Sequence, residues 1–141
     1  MSYFDCYLIP VATNKLEAYR LFSEEVARVY QEYGATRVVD CVLDTDAADG
    51  MQFHAVEARD KLNISPEQLR DFQVAAAITA GETVVLSWTE WPNKAARDLG
   101  LAKALADPRI QPKEGQEILF EGHRLVAGGF SKLFDLKSAA E

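Results

Sequence analysis

The chain has no long uninterrupted hydrophobic run and no excess of positive charge. The first absence argues against a membrane protein, and the second argues against a nucleic-acid-binding protein. Its apolar stretches are shorter than the ~20 residues that a helix needs to cross a bilayer, so no membrane span is expected. Its 141 residues include 22 acidic and 15 basic side chains, a net charge of −7. Binding to a phosphate backbone requires clustered Lys and Arg, so a nucleic-acid partner is not favoured. The N-terminal MSYFDCYLIPV has an acid and no positive segment, which predicts a strand rather than a signal peptide, and hence a cytoplasmic protein.

Residues that bind metals or attack substrates are also scarce. The two cysteines, Cys6 and Cys41, and the two histidines, His54 and His123, show neither CxxC nor HxxxH spacing. No metal and no other cofactor is therefore predicted. Cysteines that stand alone in strands are usually inert core residues, and we expect the same here. The acidic turn at 44–50 does not match a calcium loop, because its glycine is misplaced and the closing Glu is missing.

Four segments have the β-branched and aromatic composition of strands. They are Tyr3–Val11, Thr36–Leu43, Thr83–Trp91 and Leu125–Leu136. The paired glycines Gly128 and Gly129 in the last segment indicate a bulge, or a place where another group approaches the backbone.

Two long helices are predicted between these strands. The first begins with a capping-box-like Asn14 and Glu17 and ends at Gly34. Its apolar stripe could form the wall of a ligand site, but core packing is the favoured interpretation. The stripe consists of Leu16, Tyr19, Phe22, Val26, Val29, Tyr30 and Tyr33. The second helix covers Asn93–Ala106 and must end before Pro108, while Gly100 within it indicates either close packing or tolerance.

The segment before the third strand has weak periodicity. Residues 51–68 are interpreted as an insertion, with Ser65 opening a short helix to about Phe72 and Gln73–Ile78 extended. No repeat or linker divides the chain, and 141 residues are typical of one domain. The element order predicts an α+β, ferredoxin-like βαββαβ domain over residues 1–141, with sheet order 4-1-3-2 and two helices on one face.

Several short motifs extend between Tyr3 and Asp135. They include Ser87-Trp88, Asp107-Pro108-Arg109, Phe120-Glu121-Gly122-His123-Arg124 and Gly128-Gly129-Phe130. On these motifs the chain resembles the YbaA-like family of small, uncharacterised bacterial proteins, a domain of unknown function. The resemblance implies the dimeric α+β barrel fold, as in antibiotic-biosynthesis monooxygenases, and it implies no established activity. His123 stands where the family usually has Lys.

Polar residues on and beside the sheet are the candidates for a binding site. They are Asp5, Tyr7, Asp40, Ser87, Trp88, Arg97, Arg109 and Arg124. If Phe4, Cys6 and Leu8 meet the helices, Asp5 and Tyr7 point away from them. The acids could then act as an acid or base, and the arginines could hold an anionic ligand. The favoured alternative is that the Arg–Asp pairs only fix strand ends and the Asp-Pro-Arg corner.

Two function classes stay open, and whether the protein is an enzyme is undecided. It could bind a small, partly apolar molecule in the barrel, with cofactor-free chemistry on that molecule as a further option. A cavity of roughly 300 Å³ lined by Tyr7, Trp88 and an acid would favour this function. The alternative is an interaction or regulatory module without a ligand pocket.

The third and fourth predicted strands, Thr83–Trp91 and Leu125–Leu136, each carry large apolar side chains on both of their sides. Two helices can cover only one face of such a sheet, so either choice of side leaves large apolar groups on the other. A homodimer packed sheet to sheet is therefore expected. The rival expectation is that the insertion covers this face within one chain.

Overall fold

A four-stranded antiparallel sheet carries two long helices on one of its faces. The computed structural model describes residues 1–46, 50–61, 65 and 68–139. Their strands are β1 (Tyr3–Ala12), β2 (Arg37–Val42), β3 (Glu82–Trp91) and β4 (Val126–Ser131). Their α-helices are α1 (Leu16–Glu32), α2 (Val56–Lys61), α3 (Phe72–Ala75) and α4 (Lys94–Leu105). None of these described helices is long and apolar enough to cross a membrane.

The strand order is β2-β3-β1-β4, which is the predicted order 4-1-3-2 read from the other edge. Strand β1 pairs with β3 along its whole length, from Tyr3 opposite Trp91 to Ala12 opposite Glu82. It also pairs with β4, while β2 pairs only with β3. The predicted α+β class with one antiparallel sheet is confirmed, and β2 and β4 form its two edges.

The core lies between the sheet and α1, and it settles which side of each strand meets the helices. Ile9 and Val11 of β1 and Val85 of β3 pack against Tyr19 of α1. Because side chains alternate along a strand, Asp5 and Tyr7 share this helix-covered face with Ile9 and Val11. The opposite placement, with Asp5 and Tyr7 away from the helices, is therefore wrong.

The other side of the sheet, which we call the open face, carries the three β1 residues predicted to meet the helices, Phe4, Cys6 and Leu8. The register adds Val39, Cys41, Val84, Leu86, Trp88, Val126 and Phe130 to this face. The alternation of side chains along β1 does not determine which side meets the helices, because both sides carry bulky apolar groups. Ser87 and Trp88 consequently separate, with Ser87 on the helix-covered face and Trp88 on the open face.

Helix α4 begins and ends where its sequence predicts. The Asn93 side chain accepts a hydrogen bond from the Ala96 amide at 2.8 Å, and Pro108 opens a separate 3-10 turn. The cap predicted for α1 is wrong, because Asn14 lies in a 3-10 turn and α1 begins at Leu16 without a side-chain cap. Gly34, with φ of +114°, follows the end of α1 as expected.

Both interior glycine positions are places of close approach. A Cβ at Gly100 would overlap the Tyr33 carbonyl oxygen and the Trp91 ring, so α4 packs tightly there. A Cβ at Gly129 would overlap the Tyr3 hydroxyl and the Arg97 guanidinium. The register of β4 against β1 is continuous, so there is no bulge at the glycine pair, and close approach explains Gly129. A Cβ at Gly128 would make only ordinary contact with the Phe130 ring.

The segment before β3 covers one end of the open face. Gln73–Ile78 is not extended as predicted, because Asp71 caps the Val74 amide at 2.8 Å and opens α3. Phe72 of α3 lies with Val84 and Leu86 around a small cleft on the open face. The Ser65 amide donates to Gln68 Oε1 at 2.8 Å as the capping box predicts, and residues 66–67 lie outside the described residues. The predicted extension of that helix to about Phe72 is wrong, because residues 69–71 are not helical and α3 begins only at Phe72.

Candidate functional site

A cavity of about 270 Å³ lies between α1 and the helix-covered face of the sheet. Aromatic side chains form much of its wall, namely Tyr7, Tyr19, Phe22, Tyr30 and Phe120. Aliphatic side chains add Ile9, Val26, Val38, Leu105, Ile110 and Leu125. Ser23, Ser87 and Thr89 supply hydroxyls, and no charged side chain of the described residues lines the cavity.

The tyrosines of the cavity remain neutral. Burial raises the pKa of Tyr7 far above its usual range, and the neighbouring Tyr30 and Asp5 raise it further. Burial likewise raises the pKa of Tyr30, again with Asp5 adding to the effect. Both phenols therefore stay protonated at physiological pH, where they can orient a ligand by hydrogen bonding but cannot act as bases.

The outer wall is a cluster of three rings. Tyr19 and Phe120 meet edge to face, with centroids 5.7 Å apart and planes at 82°. Phe22 lies 6.4 Å from Tyr19 and 6.3 Å from Phe120. Such spacings are typical of favourable aromatic pairs, so the wall is a pre-formed apolar surface.

Asp5 lies at one end of this face, in a buried ion pair. Its carboxylate accepts hydrogen bonds from Arg97 Nε at 2.9 Å and from Trp91 Nε1 at 3.1 Å. The Arg97 guanidinium also stacks 4.7 Å from the centre of the Tyr3 ring. This cluster ties α4 to β1 and the end of β3, which is a structural role.

Arg109 and Arg124 lie in two further ion pairs at other places. Arg109 binds Asp107 at 2.9 Å and Glu32 at 2.5 Å, which fixes the Asp-Pro-Arg corner to α1. Arg124 binds Glu82 at 2.7 Å. That guanidinium, followed by hydrogen bonds from Thr79, lowers the pKa of the Glu82 carboxyl to about 2.

The candidate residues are thus divided rather than gathered into one site. Tyr7 and Ser87 line the cavity, and Asp40, opposite Ser87 in the register, lies at its edge. Trp88 is on the open face, and none of the three arginines lines the cavity. The sequence analysis favours arginines that only fix strand ends and the Asp-Pro-Arg corner. The contacts of Arg97 with Asp5 and of Arg109 with Asp107 and Glu32 agree with that interpretation.

Sequence reasoning missed most of the cavity wall. Ser23 and Thr89 are not among the candidates predicted from sequence, although each lines the cavity. Tyr30 belongs to the α1 stripe, for which core packing is the favoured interpretation over a ligand wall, and the stripe forms both core and cavity wall. Ser23 and Thr89 gave no signal, because a single hydroxyl in a helix or strand is common at any surface.

The cysteines and histidines do not add to the site. Cys6 is half-buried on the open face, where burial raises its thiol pKa and lowers its reactivity. Cys41 is exposed on the edge strand, so the expectation of a core cysteine is wrong there. Within the described residues, no three His, Cys, Asp or Glu side chains are grouped as a metal site would require.

The fold and cavity define a small α+β protein with an uncharged, aromatic-walled cleft under its first helix. The family model described as "Protein of unknown function (DUF1428)" matches residues 2–122. The chain is 32% identical over 135 residues to "Uncharacterized protein YbaA" of Escherichia coli (strain K12), which covers 96% of this chain and 99% of the relative. The YbaA of Shigella flexneri matches to the same extent. The chain therefore belongs to this family, whose activity is not established, and the predicted YbaA-like resemblance is confirmed.

Proposed function

We propose that this protein binds a small, largely apolar molecule in the cavity between α1 and the sheet. The single observation that carries the proposal is a cleft of about 270 Å³ with aromatic walls and no charge in its described lining. This volume lies just below the ~300 Å³ at which small-molecule sites commonly begin. It suits a molecule on the scale of one substituted ring.

The polar groups of the cavity support recognition rather than catalysis. Tyr7, Tyr30, Ser87 and Thr89 offer hydroxyls at fixed positions on β1, α1 and β3. A carbonyl or hydroxyl group on the ligand could accept or donate hydrogen bonds there. Cofactor-free chemistry on the bound molecule remains a further option that these neutral groups do not by themselves support.

A pair of alanine-to-leucine variants in α1 tests the proposal. Ala27 lines the cavity and Ala18 is exposed on the same helix, so Ala27→Leu fills the cleft and Ala18→Leu is the matched control. We expect a ring-sized probe such as 2-phenylethanol to shift the NMR signals of cavity residues in the wild type and in Ala18→Leu. Those shifts should be lost in Ala27→Leu. Equal shifts in all three proteins would contradict binding in this cavity.

We further propose that the chain has a ferredoxin-like fold and forms a homodimeric α+β barrel through its open face. The sheet spans roughly 20 Å by 20 Å, from ~3.3 Å per residue and ~4.8 Å per strand, and its open face is mostly apolar. A patch of several hundred Å² is larger than monomers usually expose. Phe130 and Val126 on this face are 55% and 48% exposed, which supports packing against a second copy.

A cytoplasmic location is part of the same proposal. Cys6 and Cys41 are both free thiols, which suits a reducing compartment.

An interaction module without a ligand is the second candidate function, because the apolar open face could bind a partner protein without any ligand in the cavity. That candidate is favoured if the cavity proves to bind no probe while the dimer forms.

A further inference from the structure

The carboxylate of Asp40 lies at the rim of the cavity. Asp40 is on the helix-covered face of the edge strand β2, directly opposite Ser87 of β3. Its Oδ2 accepts a hydrogen bond of 2.5 Å from the Ser23 hydroxyl of α1. Because Ser23 and Ser87 both line the cavity, the carboxylate lies where the cavity opens between α1 and β2.

The opening continues into a smaller cleft, which places Asp40 on a path into the cavity. This cleft has a volume of about 170 Å³ and is lined by Arg20, Ser23, Glu24, Ala27, Val38 and Asp40. It shares Ser23, Ala27 and Val38 with the cavity, so the two spaces adjoin. A ligand with its body in the cavity could extend one end into the cleft.

The charge at this rim is negative. Asp40 makes no ion pair with any cation of the described residues. Arg20 lines the same cleft, but its guanidinium is held by Glu17 at 2.7 Å and by Glu24 at 3.1 Å. Burial raises the pKa of Tyr19 in the cavity wall, and the nearby negative charge of Asp40 raises it further.

The interior offers nothing that would hold an anion. Its described lining contains no Lys, Arg or His, and an anionic group there would lose hydration without gaining a counter-charge. A cation at the rim would meet the Asp40 carboxylate and the nearby Tyr19 ring. The arrangement therefore distinguishes ligands by the sign of the charge that they carry at one end.

We propose that the ligand joins an apolar, ring-sized body in the cavity to an ammonium group that pairs with Asp40 at the rim. This inference rests on the proposed function and adds the ligand class, a small aromatic or alicyclic amine. Asp40 acts as the specificity-determining residue, since it selects among ligands whose apolar bodies fit equally well.

Three probes with the same ring and different ends test the inference: 2-phenylethylamine, 2-phenylethanol and phenylacetate. Their dissociation constants are measured by NMR titration of the wild type, Asp40→Asn and Glu25→Gln. Asn keeps an acceptor for the Ser23 hydroxyl, and Glu25 lines a different groove on α1, so Glu25→Gln matches the charge change away from the rim. Thermal unfolding of each variant checks that it is folded.

We expect the wild type to bind the amine about fivefold more tightly than the alcohol, as a partly exposed ion pair allows, and the carboxylate most weakly. The amine and the alcohol should bind equally to Asp40→Asn, while Glu25→Gln should keep the preference. The preference should also decrease at high salt.

The inference is overturned if the amine binds no more tightly than the alcohol, if its preference survives in Asp40→Asn, or if none of the three probes binds. Failure of the proposed function is a separate result. Binding of the alcohol that is lost in Ala27→Leu supports the cavity even where the amine preference is absent.

Discussion

At the scale of the residue, charged side chains tie together elements that are far apart in the sequence. Asp5 is 4% exposed, and both its carboxylate oxygens are bonded to α4 or to the end of β3. A buried carboxylate without its cation loses hydration and gains nothing in return. The Asp5–Arg97 pair therefore holds α4 against the sheet.

Arg97→Met tests this contact. The substitution keeps an apolar stem but leaves Asp5 without its guanidinium, so we expect the free energy of unfolding in urea to fall by about 3 kcal/mol. Arg28→Met is the control, because the Arg28–Glu24 pair is exposed and should contribute less than ~0.5 kcal/mol. Equal, small effects of both substitutions would mean that Asp5 is adequately solvated without Arg97.

Glu82 predicts a dependence of stability on pH. Its folded pKa of about 2 lies below its ordinary value of 4.5, so its contribution is present above pH 4.5 and is lost as the pH falls toward 2. Glu82→Gln should cost about 2 kcal/mol at pH 7 and progressively less below pH 4.5. Urea unfolding at several pH values measures this difference, and a cost that stays constant down to pH 2 would contradict the ion-pair explanation.

The sequence predicted the residue types of these pairs but not their partners. The sequence indicates Arg97, Arg109 and Arg124 as possible partners of acids, and it predicts the Asp-Pro-Arg corner. Asp5 and Arg97 are separated by 92 positions, and nothing local to either residue specifies the contact. Only the packing of α4 on the sheet brings the two together.

At the scale of the element, the strands and long helices follow from local patterns, whereas the orientation of the strands does not. Three of the predicted strands end within a residue or two of the observed bounds, and α4 is bounded by Asn93 and Pro108 as expected. The side of β1 that meets the helices was predicted wrongly. The helix-covered side of β1 and β3 holds the polar Asp5, Ser87 and Thr89, and the open side is the more apolar one. A rule that turns the more apolar side toward the helices therefore fails here.

Two other elements differ for local reasons. Strand β4 ends at Ser131 rather than Leu136, because β1, its one partner strand, begins at Tyr3 opposite Ser131. Helix α3 replaces an extended segment because the Asp71 cap and the following alanines favour a helix over the alternation that was read from Phe72.

Gly100 gives a test of how closely α4 packs. Ala has the higher helix propensity by ~1 kcal/mol, so Gly100→Ala would stabilise a freely exposed helix. Here the added methyl group would overlap the Tyr33 carbonyl and the Trp91 ring, and we expect a loss of about 1–3 kcal/mol. Ala102→Gly, at an exposed position of α4, should lower the free energy of unfolding only by the ~1 kcal/mol difference in helix propensity between Ala and Gly. A Gly100→Ala variant more stable than the wild type in thermal unfolding would show that α4 can move away from the sheet.

At the scale of the whole molecule, we propose different roles for the two faces of the sheet. The helix-covered face encloses the cavity, and the open face is proposed to pack against a second copy. Tyr7 and Ser87 were predicted as site residues from sequence, but the cavity itself was expected on the other face with Trp88. Its wall comes from α1, α4, β1, β2, β3 and the segments around Ile110 and Phe120, a combination that no single stretch of sequence specifies.

Phe130→Glu tests the dimer. A carboxylate at position 130 would lie without a cationic partner among the apolar groups of the proposed interface, so the variant should dissociate. Light scattering should give the wild type about twice the chain mass of 15.7 kDa and the variant about one chain mass. Leu99→Glu, on an exposed position of α4 away from the open face, should remain a dimer. A wild type at 15.7 kDa would contradict the proposed assembly.

If the cavity under α1 holds a small molecule in the cell, native mass spectrometry of protein purified from its own cells should detect that molecule. We expect a bound species of ring-sized mass on the wild type and on Ala18→Leu, released on denaturation and absent from Ala27→Leu. A wild type that carries no bound molecule, or an Ala27→Leu variant that carries the same one, would contradict it.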